Sequence, residues 1–184
     1  MTIREIKFVP ETCLREKCAP IEDINDEIRK LADDMLETMY DAPGIGLAAS
    51  QIGVLKRMFV LDVAERESEE DQHVEKEPMV FINPEITWSS EEKNTYQEGC
   101  LSIPGVYEDV ERPAKIRVSF LNVEGEKQEL EASGILATCI QHELDHLNGV
   151  LFIDYLSRLK RERIVKKNGQ AGQTSLIVPA LRVD

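Results

Sequence analysis

Histidine is scarce in this chain, with three in 184 residues. Cysteine is nearly as rare. The four at positions 13, 18, 100 and 139 show no paired spacing, which argues against a disulfide framework and for a reducing, cytoplasmic setting. No apolar run approaches the ~20 residues of a membrane span. The opening Met1-Thr2-Ile3-Arg4-Glu5-Ile6-Lys7 lacks the apolar core of a secretory signal. Positive charge is also in deficit, 22 basic against 35 acidic residues, for a net −13. That excludes broad binding to DNA or to an anionic membrane. What is present, 42% hydrophobic and 31% charged residues, is an ordinary soluble globular composition, long enough for one domain with a real core.

The charge is unevenly spread. Residues 158–167 hold six basic residues (Arg158, Lys160, Arg161, Arg163, Lys166, Lys167) against Glu162 alone, so the run carries +5 and the rest −18. A solvated helix face accounts for such a run, and a docking patch for an anionic partner is the sharper alternative.

Helical spacing runs over residues 23–40 through Ile24, Ile28, Leu31, Met35, Leu36 and Met39, with Asp or Asn to cap the start and Pro43-Gly44 to end it. Short apolar runs at 58–63, 79–82 and 86–88 predict strands, and 116–123 with 127–131 a hairpin turning at Glu124-Gly125. Residues 65–77 carry seven acids in thirteen and read as a solvated loop. A second helix is predicted from Ser133 through Leu136, Ile140, Leu144 and Leu147, stopped by Gly149, and a third over 156–167. The fold class is α+β, with a central buried helix among mostly antiparallel strands. Residues 1–168 form one catalytic domain in this reading, and 169–184 a flexible tail.

Two of the three histidines sit in Gln141-His142-Glu143-Leu144-Asp145-His146, on the second predicted helix. Four residues is just over one helical turn, so both imidazoles leave one face and can close on one divalent ion, with Glu143 beside it as an acid/base. A catalytic ion takes about three protein ligands and keeps a position for water. Cys139 is a poor third: it lies ~10.5 Å along the axis from His146, too far to share one ion, and reads as core packing. The longer protease pattern H-E-x-x-H-x-x-G-x-x-H fails, because Phe152 stands at its last ligand position. Glu162 downstream and Cys100 upstream remain as candidates.

Three segments appear in order: Gly44-Ile45-Gly46-Leu47-Ala48-Ala49-Ser50-Gln51, then Glu98-Gly99-Cys100-Leu101-Ser102, then the histidine pair. Together they resemble the peptide deformylases, over residues 10 to 165, and the predicted C-terminal helix resembles the bacterial-type branch. The resemblance implies a divalent ion on Cys100, His142 and His146, ferrous iron in the cell, with zinc, nickel or cobalt also fitting those donors. It implies that metal-bound water attacks the formyl carbon of an N-formylmethionyl nascent peptide, that Glu143 is general base and acid, and that formate leaves. Gln51 and the backbone N–H of Leu101 become donors to the oxyanion, although Gln51 by itself reads as an ordinary surface glutamine. Gly44, Ile45, Gly46, Glu98 and Gly99 would hold the substrate main chain like a strand. Ile45, Ile135, Thr138 and Cys139 would wall the methionine pocket. Glu98 is also expected to brace the site, with an arginine as candidate partner.

Two departures stand out. The family's early Pro-Asp-Pro-x-Leu-Arg is Pro10-Glu11-Thr12-Cys13-Leu14-Arg15 here, and Tyr107 lies where some members carry an arginine that meets the substrate. In this reading the basic 158–167 run gains a candidate partner, the ribosome. Two rivals stay open: a metallopeptidase that needs no Cys100, and a metal-stabilised binding module without turnover.

Overall fold

The computed structural model describes residues 2–64 and 75–170. Most of the acidic 65–77 stretch and the tail after Gln170 therefore lie outside the described residues. Among the described residues three α-helices, α1 (Asp26–Asp41), α2 (Gly134–Leu147) and α3 (Arg158–Gln170), accompany seven strands. The strands are β1 (Gly46–Ala48), β2 (Met58–Leu61), β3 (Met79–Ser89), β4 (Lys93–Cys100), β5 (Ile103–Pro113), β6 (Lys115–Leu121) and β7 (Lys127–Ser133). All strand pairings are antiparallel, in a five-stranded sheet of order β1-β2-β3-β6-β7 and a separate β4-β5 pair. The fold is α+β.

β2 explains how the layers stack. Its four residues are all buried, yet they alternate between two cores. Phe59 and Leu61 face α2, with Phe81, Ile140 and Leu144, while Met58 and Val60 face α1, with Ile28, Met35 and Met39. A strand buried on both faces must be apolar at every position, as Met58-Phe59-Val60-Leu61 is. On the α2 side Phe81 lies between Phe59 and Phe120, with ring centroids 4.7 and 4.2 Å apart. A third core joins β5 to the N-terminal segment and the turn after α2, through Leu14, Ile103, Leu151, Phe152 and Ile153.

α1 starts three residues later than the spacing suggested, because Asn25 is its cap: Oδ1 accepts the N–H groups of Glu27 (3.1 Å) and Ile28 (3.2 Å). Asp26 and Glu27 then sit where the helix dipole favours acids. Ser133 holds the cap position of α2 but makes no capping bond with its side chain. Gly149, with φ +72°, follows the helix end. α3 begins two residues later than expected and runs past the predicted tail boundary to Gln170.

The runs at 79–82 and 86–88 are one strand, β3, kinked between them. Asn83 has φ +51°, the register to β6 shifts after Ile82, and the Asn83 amide grips both backbone groups of Ile21 (2.8 and 2.7 Å). β4 and β5 were not anticipated. Lys93-Asn94-Thr95-Tyr96-Gln97-Glu98 is too polar for an alternating pattern, and its strand form rests on pairing with β5.

Candidate metal centre

α2 is the buried helix at the middle of the molecule; within it only Gly134, Leu136 and Asp145 escape full burial. Its apolar positions anchor it to the sheet, which leaves His142 and His146 facing the end of β4. There the register slips between Glu98 and Cys100, and Cys100 pairs with Ile103 across a tight turn that carries Leu101 and Ser102. The result brings Cys100, His142 and His146 together. One ligating atom from each lies within 4.8 Å of the others, and all three residues are buried. The Cys100 Sγ is 3.3 Å from His146 Nε2.

Each histidine is held differently. His142 places Nδ1 2.9 Å from Glu98 Oε2, so the carboxylate fixes the proton on Nδ1 and leaves Nε2 for the site. The Phe152 ring stacks along His142, centroids 6.0 Å apart. His146 directs Nε2 to Cys100, and its Nδ1 is buried with no hydrogen-bond partner among the described residues. Burial, aided by the nearby His142, pushes the His146 pKa well down and favours the neutral, ligating form.

Glu98 is fully buried and engaged from two sides. Besides His142, it accepts two N–H groups of the Arg112 guanidinium, at Oε1 (2.5 Å) and Oε2 (3.0 Å). Burial alone would raise its pKa, but His142 and Arg112 outweigh it and hold the carboxyl low. Arg112 also donates to Asp145 Oδ2 (2.8 Å), as does the Tyr155 hydroxyl (2.8 Å), and its guanidinium lies over the Tyr155 ring at 4.8 Å. The Glu98 side chain is thus held between His142 and Arg112.

Gln51 is 1% exposed, which rules out the ordinary surface glutamine. Its Oε1 accepts the Ala48 N–H (2.8 Å), and Nε2 donates toward Cys100 Sγ (3.4 Å) and Ser102 Oγ (3.1 Å). Leu101 is buried in the turn, its side chain filling the space beside Gly44. Glu143 is 4% exposed, with Oε2 buried and unpartnered among the described residues. Burial pushes its pKa up to about 7, against the pull of His142.

Ile45, Ile135 and Cys139 belong to the same core, and the Cys139 Sγ–H points at the Ile45 carbonyl (3.7 Å). Thr138 is buried beside them with its hydroxyl returned to Gly134 O (3.3 Å). Burial raises the Cys139 thiol well above its ordinary pKa, as suits packing. Gly99 precedes Cys100 at the bulge, Tyr107 is half-buried in β5, and Glu162 is ion-paired to Arg158 (2.7 Å) on the exposed side of α3. The sequence assigns no role to Arg112, Asp145, Tyr155 or Ser102, although Ser102 and Asp145 lie within the quoted motifs. Only Arg112 could have been sought, as the expected arginine beside Glu98.

A divalent ion suits this donor set. A thiol and imidazole nitrogens converge among buried residues, and the neighbouring Glu143 has a buried carboxylate oxygen without a partner among the described residues.

Comparison with known proteins gives one consistent answer. The family model for polypeptide deformylase matches residues 3–162. A peptide deformylase of Rhizobium meliloti is 58% identical over 174 residues, 95% of this chain and 97% of the relative. One of Agrobacterium fabrum is 56% identical over 96% of this chain and all of its own. Among solved structures, the Ehrlichia chaffeensis peptide deformylase in complex with actinonin superposes with a TM-score of 0.87 at 41% identity, covering 95% of this chain and 100% of that one.

Proposed function

Given that the chain belongs to the polypeptide deformylase family, a metal-dependent hydrolase that removes the N-formyl group of nascent peptides, we propose how its residues divide that work. Cys100, His142 and His146 hold the ion. The observation that carries this reading is the convergence of their three ligating atoms beside the buried Glu143 carboxylate. Ferrous iron is the assigned ion; the same donors accept zinc, nickel or cobalt. When bound, the ion supplies Lewis acidity that makes water nucleophilic near neutral pH.

Glu143 takes the proton from the attacking water and returns it to the departing amine nitrogen as the C–N bond breaks. A carboxyl lifted by burial to about 7 suits a group that must accept and release one proton in each turnover. Gln51 turns to the formyl oxygen the Nε2–H that now points at Cys100 Sγ, and Leu101 gives its backbone N–H, as charge builds there. Ala48 and Ser102 fix the Gln51 amide plane, so the donor is oriented before substrate arrives. Gly44, Ile45, Gly46 and the Glu98-Gly99 stretch pair with the substrate backbone, and Ile45, Ile135, Thr138 and Cys139 receive the methionine side chain.

Residues 1–168 are taken as one catalytic domain. A cytoplasmic location is supported by four free cysteines, and among the described residues no helix is long and apolar enough to cross a membrane. α3 is assigned to ribosome docking. Lys160 and Arg161 are drawn toward Glu108 (2.8 Å) and Asp154 (3.8 Å), and Arg158 toward Glu162, so Arg163, Lys166 and Lys167 carry the outward charge.

The test is formate release from a formyl-methionyl tripeptide by anaerobically iron-loaded protein, beside Glu143→Ala. Release by the parent alone supports the assignment. Equal release by both removes Glu143 from the chemistry.

A further inference from the structure

Gly46 is a glycine that its own backbone does not require. Gly53, Gly105, Gly125, Gly134 and Gly149 adopt positive φ, where side chains are strained; Gly46 does not. Its peptide is ordinary strand, paired to Leu61 of β2. What it lacks is room. A Cβ built on Gly46 would overlap the Oε1 and Cδ atoms of Glu143.

The strand has nowhere to retreat. Just before Gly46, the Ile45 carbonyl accepts the Asp62 N–H (2.9 Å) and the Cys139 Sγ–H. Just after it, Leu47 and Ala48 pair with Val60 and Phe59, and the Ala48 N–H holds Gln51. Cys139 and Glu143 are one helical turn apart, so the consecutive residues Ile45 and Gly46 meet consecutive turns of α2. If a side chain were added at 46, the group to move would be the Glu143 carboxylate. No hydrogen bond among the described residues holds its Oε2.

We propose that Gly46 is a positioning residue for Glu143. Its bare α-carbon is the seat on which the carboxylate rests, and contact rather than hydrogen bonding to Oε2 sets how far that carboxylate reaches toward the ligand cluster. The proposal rests on the reading of Glu143 as proton carrier. It adds a role to a residue otherwise assigned to the substrate backbone.

The test is a pair of double-mutant cycles on metal-loaded protein. Gly46→Ala should keep one ion per chain and change KM by no more than about twofold, while kcat falls about a hundredfold, the scale of an ångström-sized misplacement. Placed on Glu143→Asp, whose shorter side chain clears the new methyl group, Gly46→Ala should lower kcat little further. The same loss in both backgrounds would overturn the proposal, as would an effect confined to KM. A melting cycle reads the contact without turnover. The Tm decrease caused by Gly46→Ala should vanish in Glu143→Ala, and an equal decrease in both backgrounds overturns the seat even if Gly46→Ala alone is too unstable to assay. Turnover by Glu143→Ala would instead overturn the proton-carrier reading, and with it the catalytic meaning of the seat.

Discussion

Glu98 and His142 form a buried pair whose geometry leaves one choice of tautomer. The carboxylate stands 2.9 Å from Nδ1 and is itself fastened by the Arg112 guanidinium, so the imidazole presents Nε2 to the ligand cluster.

That arrangement separates charge from shape. Glu98→Gln preserves the volume but lets the amide turn its N–H₂ toward Nδ1. Metal affinity should weaken by about 10- to 100-fold, measured by competition with a chelator of known affinity. Arg112→Leu is harsher, since it leaves a buried carboxylate facing His142 alone. It should cost about 3–5 kcal/mol in denaturant unfolding.

Gln51 combines an oxyanion donor with an acceptor for the buried Ala48 N–H, and kinetics separates the two. Gln51→Leu keeps the bulk beside Cys100 and Ser102 but removes the donor. A drop in kcat of about 10²–10³ with a small change in KM is expected. A loss that falls wholly on KM would instead make Gln51 a substrate-binding group.

Asp34 governs acid stability far from the metal centre. Burial would raise its pKa, but hydrogen bonds from Arg4, Lys30 and the Thr2 N–H lower it below 3.8. A depressed carboxyl contributes stability that is full above its unfolded value and lost as pH falls through the folded one. Between neutral pH and that window, Asp34→Asn should have a lower Tm than the parent. The gap should close as the solution is taken below the ordinary aspartate range. A gap that persisted unchanged into strong acid would show that its charge is not what holds the N-terminal segment.

Gly149 tests a backbone requirement. Its φ is +72°, and a Cβ there would also run into the Arg15 carbonyl. Gly149→Ala should therefore cost at least about 1–2 kcal/mol, the left-handed penalty alone, read as a lower Tm with the metal content unchanged.

The parts of this fold that are local were legible in the sequence. α1 showed itself through the spacing of Ile28, Leu31, Met35 and Met39, and α2 through Ile140, Leu144 and Leu147 with Gly149 behind them. The β6–β7 turn was readable because Gly125 and Asn122 carry its geometry in their own chemistry: φ is +83° at Gly125, and Asn122 Oδ1 accepts the Glu124 and Glu126 N–H groups. β4 and β5 were not readable, because a polar strand is defined by its partner. The histidine pair was visible from its spacing, whereas only the resemblance favoured Cys100 over Glu162 as the third ligand. In the Arg112–Asp145–Tyr155 cluster the arginine lies 33 residues from Asp145 and 43 from Tyr155, so no short window contains it. Gln51 shows the same limit from the other side. Nothing in its neighbours says whether a glutamine is on the surface or, as here, sealed beside a cysteine.

Among the described residues the β4–β5 pair shares no backbone ladder with the five-stranded sheet. Besides its chain connections to β3 and β6 and the Val9 N–H bond to Ser102 O (3.0 Å), it is fastened to the rest of the molecule by side chains, among them Glu98, Arg112 and Cys100 reaching toward α2. An ion held by Cys100 and both histidines would therefore act as a rivet between two sheets' worth of structure, closing a long loop as a cross-link does. Stripping it should loosen one hairpin selectively. The first amides to exchange with solvent would be those of β4 and β5, while β2, enclosed by two cores, keeps its protection.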